Sequence, residues 1–358
     1  MLIYIVLVSL ILVLNSARKR GTISDERFCT ITCILFILVT GLRHNDVGSD
    51  TTGYFLAFNQ IGRMSLPDVI ALNKRDIGFY IFEWLVYQMF HSFTALTLIA
   101  ACIFYIPITK LFYKNSDDIG LSYIVLMAFM FFQFSMTGIR QTIALGFAVL
   151  FMLELNSEHR HSLIHIMRIA LFACLGILFH RSFVAVLPLL VIRFFDKRKS
   201  IAWVCLLLVP VVFILRLRIT GAALNVFNTL GFDLAEFSSN TGGITTYVVY
   251  VLLFVWGLFL TYSGNEYGEM PTFYLLIMGI AVVLQNFVFV NSIFFRVVWY
   301  YSIYMTVYIP KIVTSSRIAE QSRGLLSSIM YVGLLYMYFG ITMGSATVLP
   351  YKFFWQGM

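Results

Sequence analysis

Apolar runs long enough to cross a membrane recur along most of this chain and are separated by short polar segments. A helix needs about 20 such residues to span the hydrocarbon core. Of the 358 residues, 60% are hydrophobic and only 12% are charged, which leaves a soluble protein too little polar surface. The sequence therefore predicts an all-α, polytopic integral membrane protein with a single transmembrane domain over residues 1–358.

The apolar runs predict about twelve transmembrane helices and place both termini on the periplasmic side. The basic cluster at residues 18–20 is expected in the cytoplasm, because positively charged loops stay on that side, and this places the N-terminus outside. An even number of crossings returns the C-terminus to the same side. The predicted spans are residues 2–17, 28–42, 93–113, 119–137, 139–156, 164–179, 182–195, 201–219, 245–262, 271–290, 293–313 and 325–344.

Residues 76–91 are apolar enough for one more span, which would invert the topology of everything that follows. Polar side chains recur here every three or four residues and form a stripe along a helix: Asp76, Tyr80, Glu83, Tyr87 and His91. Such a stripe suits a helix at the interface or beside a cavity better than a helix in lipid. The segment is therefore predicted to be a re-entrant or interfacial outer helix. Long outer loops at 43–78 and 220–244 are expected to contribute to a periplasm-facing site.

The first outer loop opens with GLRHNDVGSDTTGY (residues 41–54), which is dense in groups that bind oxyanions and hydroxyls. Arg43 offers a planar fork for phosphate, and Tyr54 ends the motif. The carboxylates Asp46 and Asp50 are suited to orient sugar hydroxyls, to take a proton or to hold the arginine. The alternative is a solvated turn after the second span, with Asp50 as the N-cap of the next helix.

Two further motifs place arginines at the outer ends of apolar runs, where a cation is a functional candidate by default. In GIRQTIA, Arg140 and Gln141 are predicted to contact the ligand, although an arginine here can also extend to a lipid headgroup. In FHRSF, His180 stands beside Arg181. Imidazole is well suited to proton transfer near neutral pH, but a lone interfacial histidine is often only a satisfied polar residue.

Arg296 and Tyr351 are weaker candidates near the outer ends of late segments. No phosphate-binding loop, dinucleotide fingerprint, zinc motif or nucleophile elbow occurs, so no cofactor is expected. Asp46 with Asp50 is the nearest approach to a metal site, and no metal is predicted. The net charge of +8 comes from scattered residues and forms no nucleic-acid-binding stripe. The five cysteines lie within apolar runs and are interpreted as buried free thiols.

Taken in order, these motifs resemble those of the EpsG-like and Wzy-type polysaccharide polymerases. The resemblance covers nearly the whole chain, and its specificity comes from the order and spacing of the motifs. The matching elements are Arg43 with VGSDTTGY, DIGF at 76–79, GIRQTIA, FHRS at 179–182, Arg296 and Pro350-Tyr351. Asp76 departs from the pattern, which more often has glutamate there, and the position therefore receives little weight.

The resemblance implies a metal-independent glycosyltransferase of the cell inner membrane, with its active site facing the periplasm. It would build O-antigen of lipopolysaccharide, capsule or exopolysaccharide from oligosaccharide units linked to undecaprenyl pyrophosphate. The growing glycan would be transferred to the non-reducing-end hydroxyl of a new lipid-linked unit. Membrane lipids, a chain-length regulator and a flippase of the same pathway are the expected partners.

Roles for individual residues follow from the motifs and the resemblance together. Arg43 and Arg140 are predicted to hold the pyrophosphate, and the base is left open between His180, Asp50 and Asp46. The predicted catalytic residues are His180, Asp50 and Arg140. The predicted substrate-binding residues are Arg43, Asp46, Tyr54, Gln141, Arg181, Arg296 and Tyr351.

The sequence is also compatible with two other functions. An O-antigen ligase would use the same donor with a different acceptor, and would be expected to carry a larger late outer loop than residues 220–244. A lipid-linked oligosaccharide flippase or transporter would need basic groups along a central cavity between similar halves, whereas this sequence shows no internal repeat.

Overall fold

The structure is a computed structural model that describes residues 1–72, 75–157, 162–192, 200–229, 243–262, 272–315, 318–344 and 347–356. Within these ranges the regular structure is helical, with short 3-10 turns at Arg181–Val186 and Ser292–Phe294. The α-helices are α1 Leu2–Lys19, α2 Asp25–Gly41, α3 Thr51–Gly62, α4 Leu66–Ala71, α5 Ile77–Phe90, α6 Phe93–Asn115, α7 Ile119–Ala128, α8 Phe131–Ser135, α9 Ile139–Leu155, α10 Leu163–Phe179, α11 Leu189–Ile192, α12 Ser200–Thr229, α13 Ile244–Tyr262, α14 Thr272–Val288, α15 Phe295–Ser302, α16 Met305–Thr314 and α17 Glu320–Gly344.

Five helices of the described chain are long and apolar enough to cross a membrane: α1, α6, α12 over Ser200–Ala222, α13 over Ile244–Thr261, and α17. The prediction of a helical membrane protein is confirmed by these helices. Shorter apolar helices occupy several of the other predicted spans, among them α7, α10 and α14. The number of twelve crossings and the side of each terminus stay predictions.

Several predicted boundaries differ from the helix bounds in the structure. The span expected over 119–137 is broken at Met130, whose φ of 68° lies in the left-handed region and separates α7 from α8. The span expected over 293–313 is divided into α15 and α16. The outer loop predicted at 43–78 contains α3 and α4. In the segment predicted as loop 220–244, α12 continues to Thr229, and residues 230–242 lie outside the described residues.

The helix predicted over 76–91 is present as α5. Residues with positive φ flank it at both ends, Asp76 at 62° and His91 at 49°, so the chain turns sharply into and out of this helix. Its re-entrant or interfacial position relative to a membrane stays a prediction.

Contacts divide the described residues into two compact units, one of residues 1–184 and 324–358 and the other of residues 185–323. In the first unit, the Phe36 ring stacks on Tyr105 and Tyr123 with centroids 5.2 and 5.5 Å apart. In the second unit, α12 and α13 pack on α14. Close packing of helices is what holds such bundles together in a membrane, where burial from water contributes little between helices.

Charged residues join helix ends in the first unit. Asp118 lies 2.9 Å from Lys19 Nζ and 3.5 Å from an Arg18 nitrogen, and Arg18 also pairs with Asp25 at 3.0 Å. This cluster links the end of α1 to the starts of α2 and α7. The basic cluster at residues 18–20 therefore lies at the opposite end of α2 from Gly41.

The cysteines are free thiols, but their predicted burial is only partly correct. Cys174 is exposed and Cys102 is half-buried, whereas Cys29, Cys33 and Cys205 are buried. Leu171 and Leu178 on the same helix α10 are exposed as well. An apolar residue in a membrane protein can face outward, so position within an apolar run does not predict burial.

Candidate functional site

A cavity of about 220 Å³ lies between α3, α5 and the start of α9 in the first unit. The volume is below the roughly 300–1,000 Å³ of sites that enclose a drug-sized ligand. The cavity is therefore large enough for a small chemical group and too small to enclose a drug-sized molecule. Its walls carry charged and aromatic side chains: Asp50, Tyr54, Phe79, Tyr80, Glu83 and Arg140.

Two of the predicted motifs meet beside this cavity. The Thr51 hydroxyl donates to the Met136 carbonyl at 2.8 Å, so the start of α3 packs on the turn before GIRQTIA. Gly48 approaches the same carbonyl so closely that a Cβ would lie 2.3 Å from its oxygen, and its φ is +102°. Only glycine meets both conditions without strain. This contact brings Asp50 and Arg140 to one site.

The Arg140 guanidinium lies in a partly aromatic setting. Its carbon is 5.7 Å from the Tyr54 ring centroid and 6.0 Å from that of Phe79, and its Nε is 3.4 Å from the Tyr54 hydroxyl. One terminal nitrogen lies 3.4 Å from Asp76 Oδ2. A third of the Arg140 side chain is exposed, 33%. The arrangement places a cation at a cavity wall, where an anion can contact it.

Asp76 contacts two of the predicted motifs, although aspartate departs from the family pattern at this position. Besides its contact with Arg140, its Oδ1 accepts a hydrogen bond of 2.9 Å from the backbone N–H of Arg181. It therefore connects GIRQTIA with FHRSF, two motifs that are far apart in sequence. The acidic-x-Gly-aromatic pattern of residues 76–79 is the sequence signal for this position, although aspartate stands where glutamate is more usual.

His180 is the C-cap residue that follows α10, and it lies one residue before Arg181, whose N–H contacts Asp76. The backbone N–H of Ser182 donates to His180 Nδ1 at 3.2 Å, and the Ser182 hydroxyl is 2.6 Å from the same nitrogen. Because a backbone N–H can only donate, Nδ1 is the acceptor and neutral His180 carries its proton on Nε2. In this geometry Nε2 is a hydrogen-bond donor, and His180 is not among the residues that line the cavity.

Arg43 is buried in the first unit and does not line the cavity. The residue is 2% exposed, and one terminal nitrogen of its side chain donates to the Thr40 carbonyl. Tyr4, Tyr105 and Tyr351 lie close enough to interact electrostatically with it, and burial lowers the pKa of Arg43 to about 10, so it remains charged at neutral pH. Its assignment to the pyrophosphate stays a prediction.

Asp46 and Tyr351 lie where residues 347–356, which we name the C-terminal strap, pack on the first motif. Lys352 Nζ lies 2.9 Å and His44 Nδ1 lies 2.7 Å from the two Asp46 oxygens. Desolvation acts to raise the pKa of Asp46, but hydrogen bonds from Lys352 and His44 outweigh it and lower that pKa. The Tyr351 hydroxyl donates to the Val39 carbonyl at 2.8 Å.

The other predicted residues are placed as follows. Gln141 is buried in the first unit next to Arg140 in sequence. Arg181 reaches the site through its backbone N–H. Arg296 lies in the first turn of α15 in the second unit. Among the described residues, no group of three or more His, Cys, Asp or Glu side chains is arranged to hold a metal ion.

Comparison with known families gives the context for this geometry. Residues 26–353 match the EpsG family. The chain belongs to the EpsG family. No curated protein and no solved structure matches it. Family membership confirms the resemblance drawn from the motifs, and it indicates a glycosyltransferase-like, polysaccharide-polymerase role for this EpsG-family protein in a membrane.

Proposed function

We propose that this EpsG-family protein joins undecaprenyl-pyrophosphate-linked oligosaccharide repeat units at the periplasmic face of the cell inner membrane. The observation that carries the proposal is Arg140, a cation at the wall of a cavity that also bears carboxylates and aromatic rings. An anionic leaving group, an acceptor hydroxyl and sugar faces are the three things such a polymerase must bind, and these side chains match them chemically.

The proposed reaction transfers the growing glycan from its lipid carrier to a new unit. The acceptor hydroxyl oxygen forms a bond to the anomeric carbon as the bond from that carbon to the phosphate oxygen breaks. Undecaprenyl pyrophosphate leaves with the electron pair. Arg140 stabilises the negative charge on the leaving group, an effect typically worth 10²–10³-fold in rate for one well-placed donor.

The acceptor hydroxyl must also lose its proton, and the geometry favours Asp50 for this role. Of the three predicted bases, Asp50 lines the cavity, whereas Asp46 is engaged by Lys352 and His44. His180 presents a proton on Nε2 and therefore suits a donor that orients a sugar oxygen. We assign the base to Asp50 and an orienting role to His180.

The proposed orientation follows from the charges at the two ends of α2. The basic cluster of residues 18–20 lies at one end, and the first motif follows the other end. Positively charged segments remain in the cytoplasm, so the cavity end faces the periplasm. In this orientation the cavity faces the outer leaflet, where both the lipid-linked donor and the lipid-linked acceptor are proposed to lie.

Extension of purified lipid-linked repeat units by wild-type protein and by Arg140→Ala and Arg140→Lys variants tests the proposal. We expect both variants to lose about 10²-fold or more in extension rate. Alanine removes the cation, and the ammonium group of lysine cannot make two parallel hydrogen bonds to phosphate. Polymer ladders of wild-type length from stably inserted Arg140→Ala protein would contradict the proposal. Transfer of the glycan to a different acceptor instead of a second repeat unit would identify a ligase.

A further inference from the structure

Asp76 occupies a junction between three segments of the first unit. It immediately precedes α5, its Oδ2 lies 3.4 Å from Arg140 on α9, and its Oδ1 accepts from the Arg181 N–H at 2.9 Å. Its side chain is 11% exposed. One carboxylate therefore uses a different oxygen for each of two motifs that both belong to the candidate site.

The backbone around Asp76 is held independently of this carboxylate. A Cβ on Gly78 would lie 2.8 Å from the Leu178 side chain and 2.9 Å from its carbonyl oxygen, so the start of α5 packs directly on the end of α10. The Phe79 N–H also donates to the Asp76 carbonyl at 2.9 Å. Removal of the carboxylate is therefore expected to leave the first turn of α5 in place.

The conformation of Asp76 separates its backbone role from its side-chain role. Its φ of 62° lies in the left-handed region, which asparagine and aspartate tolerate better than most residues and which glycine adopts at no cost. Glycine at this position satisfies the backbone and lacks the carboxylate. Asparagine satisfies the backbone and keeps an amide, but loses the charge opposite Arg140.

We propose that Asp76 is a positioning residue that fixes the Arg140 guanidinium and the His180–Arg181 segment in one mutual geometry. This inference rests on the proposed function, in which Arg140 holds the pyrophosphate and His180 orients a sugar oxygen. Without Asp76, both groups remain in the protein but lose their common support. Misplacement by about 1 Å can cost roughly 10²-fold in rate.

The experiment measures steady-state extension by Asp76→Asn, Asp76→Gly and Asp76→Glu proteins, together with the thermal unfolding of each. We expect Asn and Gly to lower kcat by about 10²-fold with a smaller change in the donor KM, and to unfold near the wild-type temperature. Glu keeps the charge and is expected to restore part of kcat. Asp68→Asn is the matched control, because the Asp68 carboxylate contacts Ser65 in the same outer segment and does not line the cavity.

Double-mutant cycles complete the test. The effects of Asp76→Asn and Arg140→Lys on kcat should be less than additive, since both act on the same guanidinium. Wild-type kcat in Asp76→Gly protein would overturn the inference, as it would show that the left-handed backbone alone is required. If Asp76→Asn fails to insert, Asp76→Gly decides. Normal extension by Arg140→Ala in the same assay would instead show that the proposed function is wrong.

Discussion

Three arginines that look alike in sequence occupy three different environments. Arg140 lines the cavity over two aromatic rings, Arg181 reaches the site through its backbone, and Arg43 is buried near three tyrosines. A guanidinium without water needs a partner or a ligand to offset its desolvation. The cavity position of Arg140 makes it the residue whose charge a ligand can use directly.

The assignment of the base is tested by substitutions that keep a hydrogen-bonding group but remove the ability to take up a proton. Glutamine at position 180 keeps a donor where Nε2–H lies but cannot cycle a proton, so His180→Gln is expected to retain activity within about tenfold of wild type. Asp50→Asn is expected to lose about 10²–10⁴-fold, the usual contribution of a positioned base. The extension assay with both variants decides. An inactive His180→Gln protein beside an active Asp50→Asn protein would reverse the assignment.

At the scale of elements, helix α3 carries one face of the cavity. Asp50, Gly53, Tyr54 and Ala57 all line it, and their spacing of three and four residues puts them on one side of a helix. Gly53 lies within α3, and a Cβ there would meet nothing within 4 Å. The open space beside Gly53 belongs to the cavity.

A large side chain at Gly53 should therefore block the cavity without disturbing the fold. Gly53→Leu is expected to lower extension by about 10²-fold, because it displaces substrate from Arg140, while thermal stability stays at or above the wild-type value. Gly333→Leu on α17 is the matched control, since that glycine also has no neighbour within 4 Å of a Cβ. Full activity of Gly53→Leu protein would show that the substrate lies elsewhere.

The C-terminal strap is the second element with a testable role. The His44 N–H donates to the Lys352 carbonyl at 2.8 Å and the Phe354 N–H donates to the Leu42 carbonyl at 2.9 Å, so the strap holds the first motif through main-chain bonds. The Asp46–Lys352 pair adds a partly exposed ion pair, which contributes about 0–1 kcal/mol.

Asp46→Asn should loosen the strap by a small amount and increase hydrogen exchange in peptides that cover residues 347–356. The lowered pKa of Asp46 means that its ionised form favours the docked strap; this stabilisation is present above the pKa of the unfolded chain and is lost as pH falls through the folded value. Strap exchange, corrected for its intrinsic rate, should therefore increase once the pH falls below the ordinary pKa range of an aspartate. Equal exchange in Asp46→Asn and wild-type protein would show that the Asp46–Lys352 ion pair does not hold the C-terminal strap in place.

At the scale of the whole molecule, two groups of charged residues lie toward opposite ends of helix α2 in the first unit. The cluster around Asp118 lies at the Arg18 and Lys19 end, and the cavity lies toward the other end of α2. Helix α2 has 17 residues, which corresponds to about 25 Å of rise. That distance is close to the thickness of a hydrocarbon core, so the two ends can lie on opposite sides of a bilayer.

Cysteine labelling tests this orientation. In a protein whose five native cysteines have been replaced, Gln60→Cys should react with an impermeant thiol reagent from the periplasmic side, and Arg20→Cys should react only after permeabilisation. Both positions are exposed. The opposite labelling pattern would place the cavity in the cytoplasm and exclude a periplasmic polymerase.

The sequence by itself determined the helical membrane class, most helix positions and the motifs of the EpsG family, because hydrophobic length and local periodicity act between neighbours in the chain. Tertiary structure decided which candidates share a cavity. Arg140 contacts Tyr54 across 86 positions and Asp76 across 64, and Arg181 meets Asp76 across 105. Such contacts depend on how helices pack, which no local pattern specifies. For the same reason, the burial of Arg43 and the contacts of Asp76 with Arg140 and Arg181 are visible only in the packed helices.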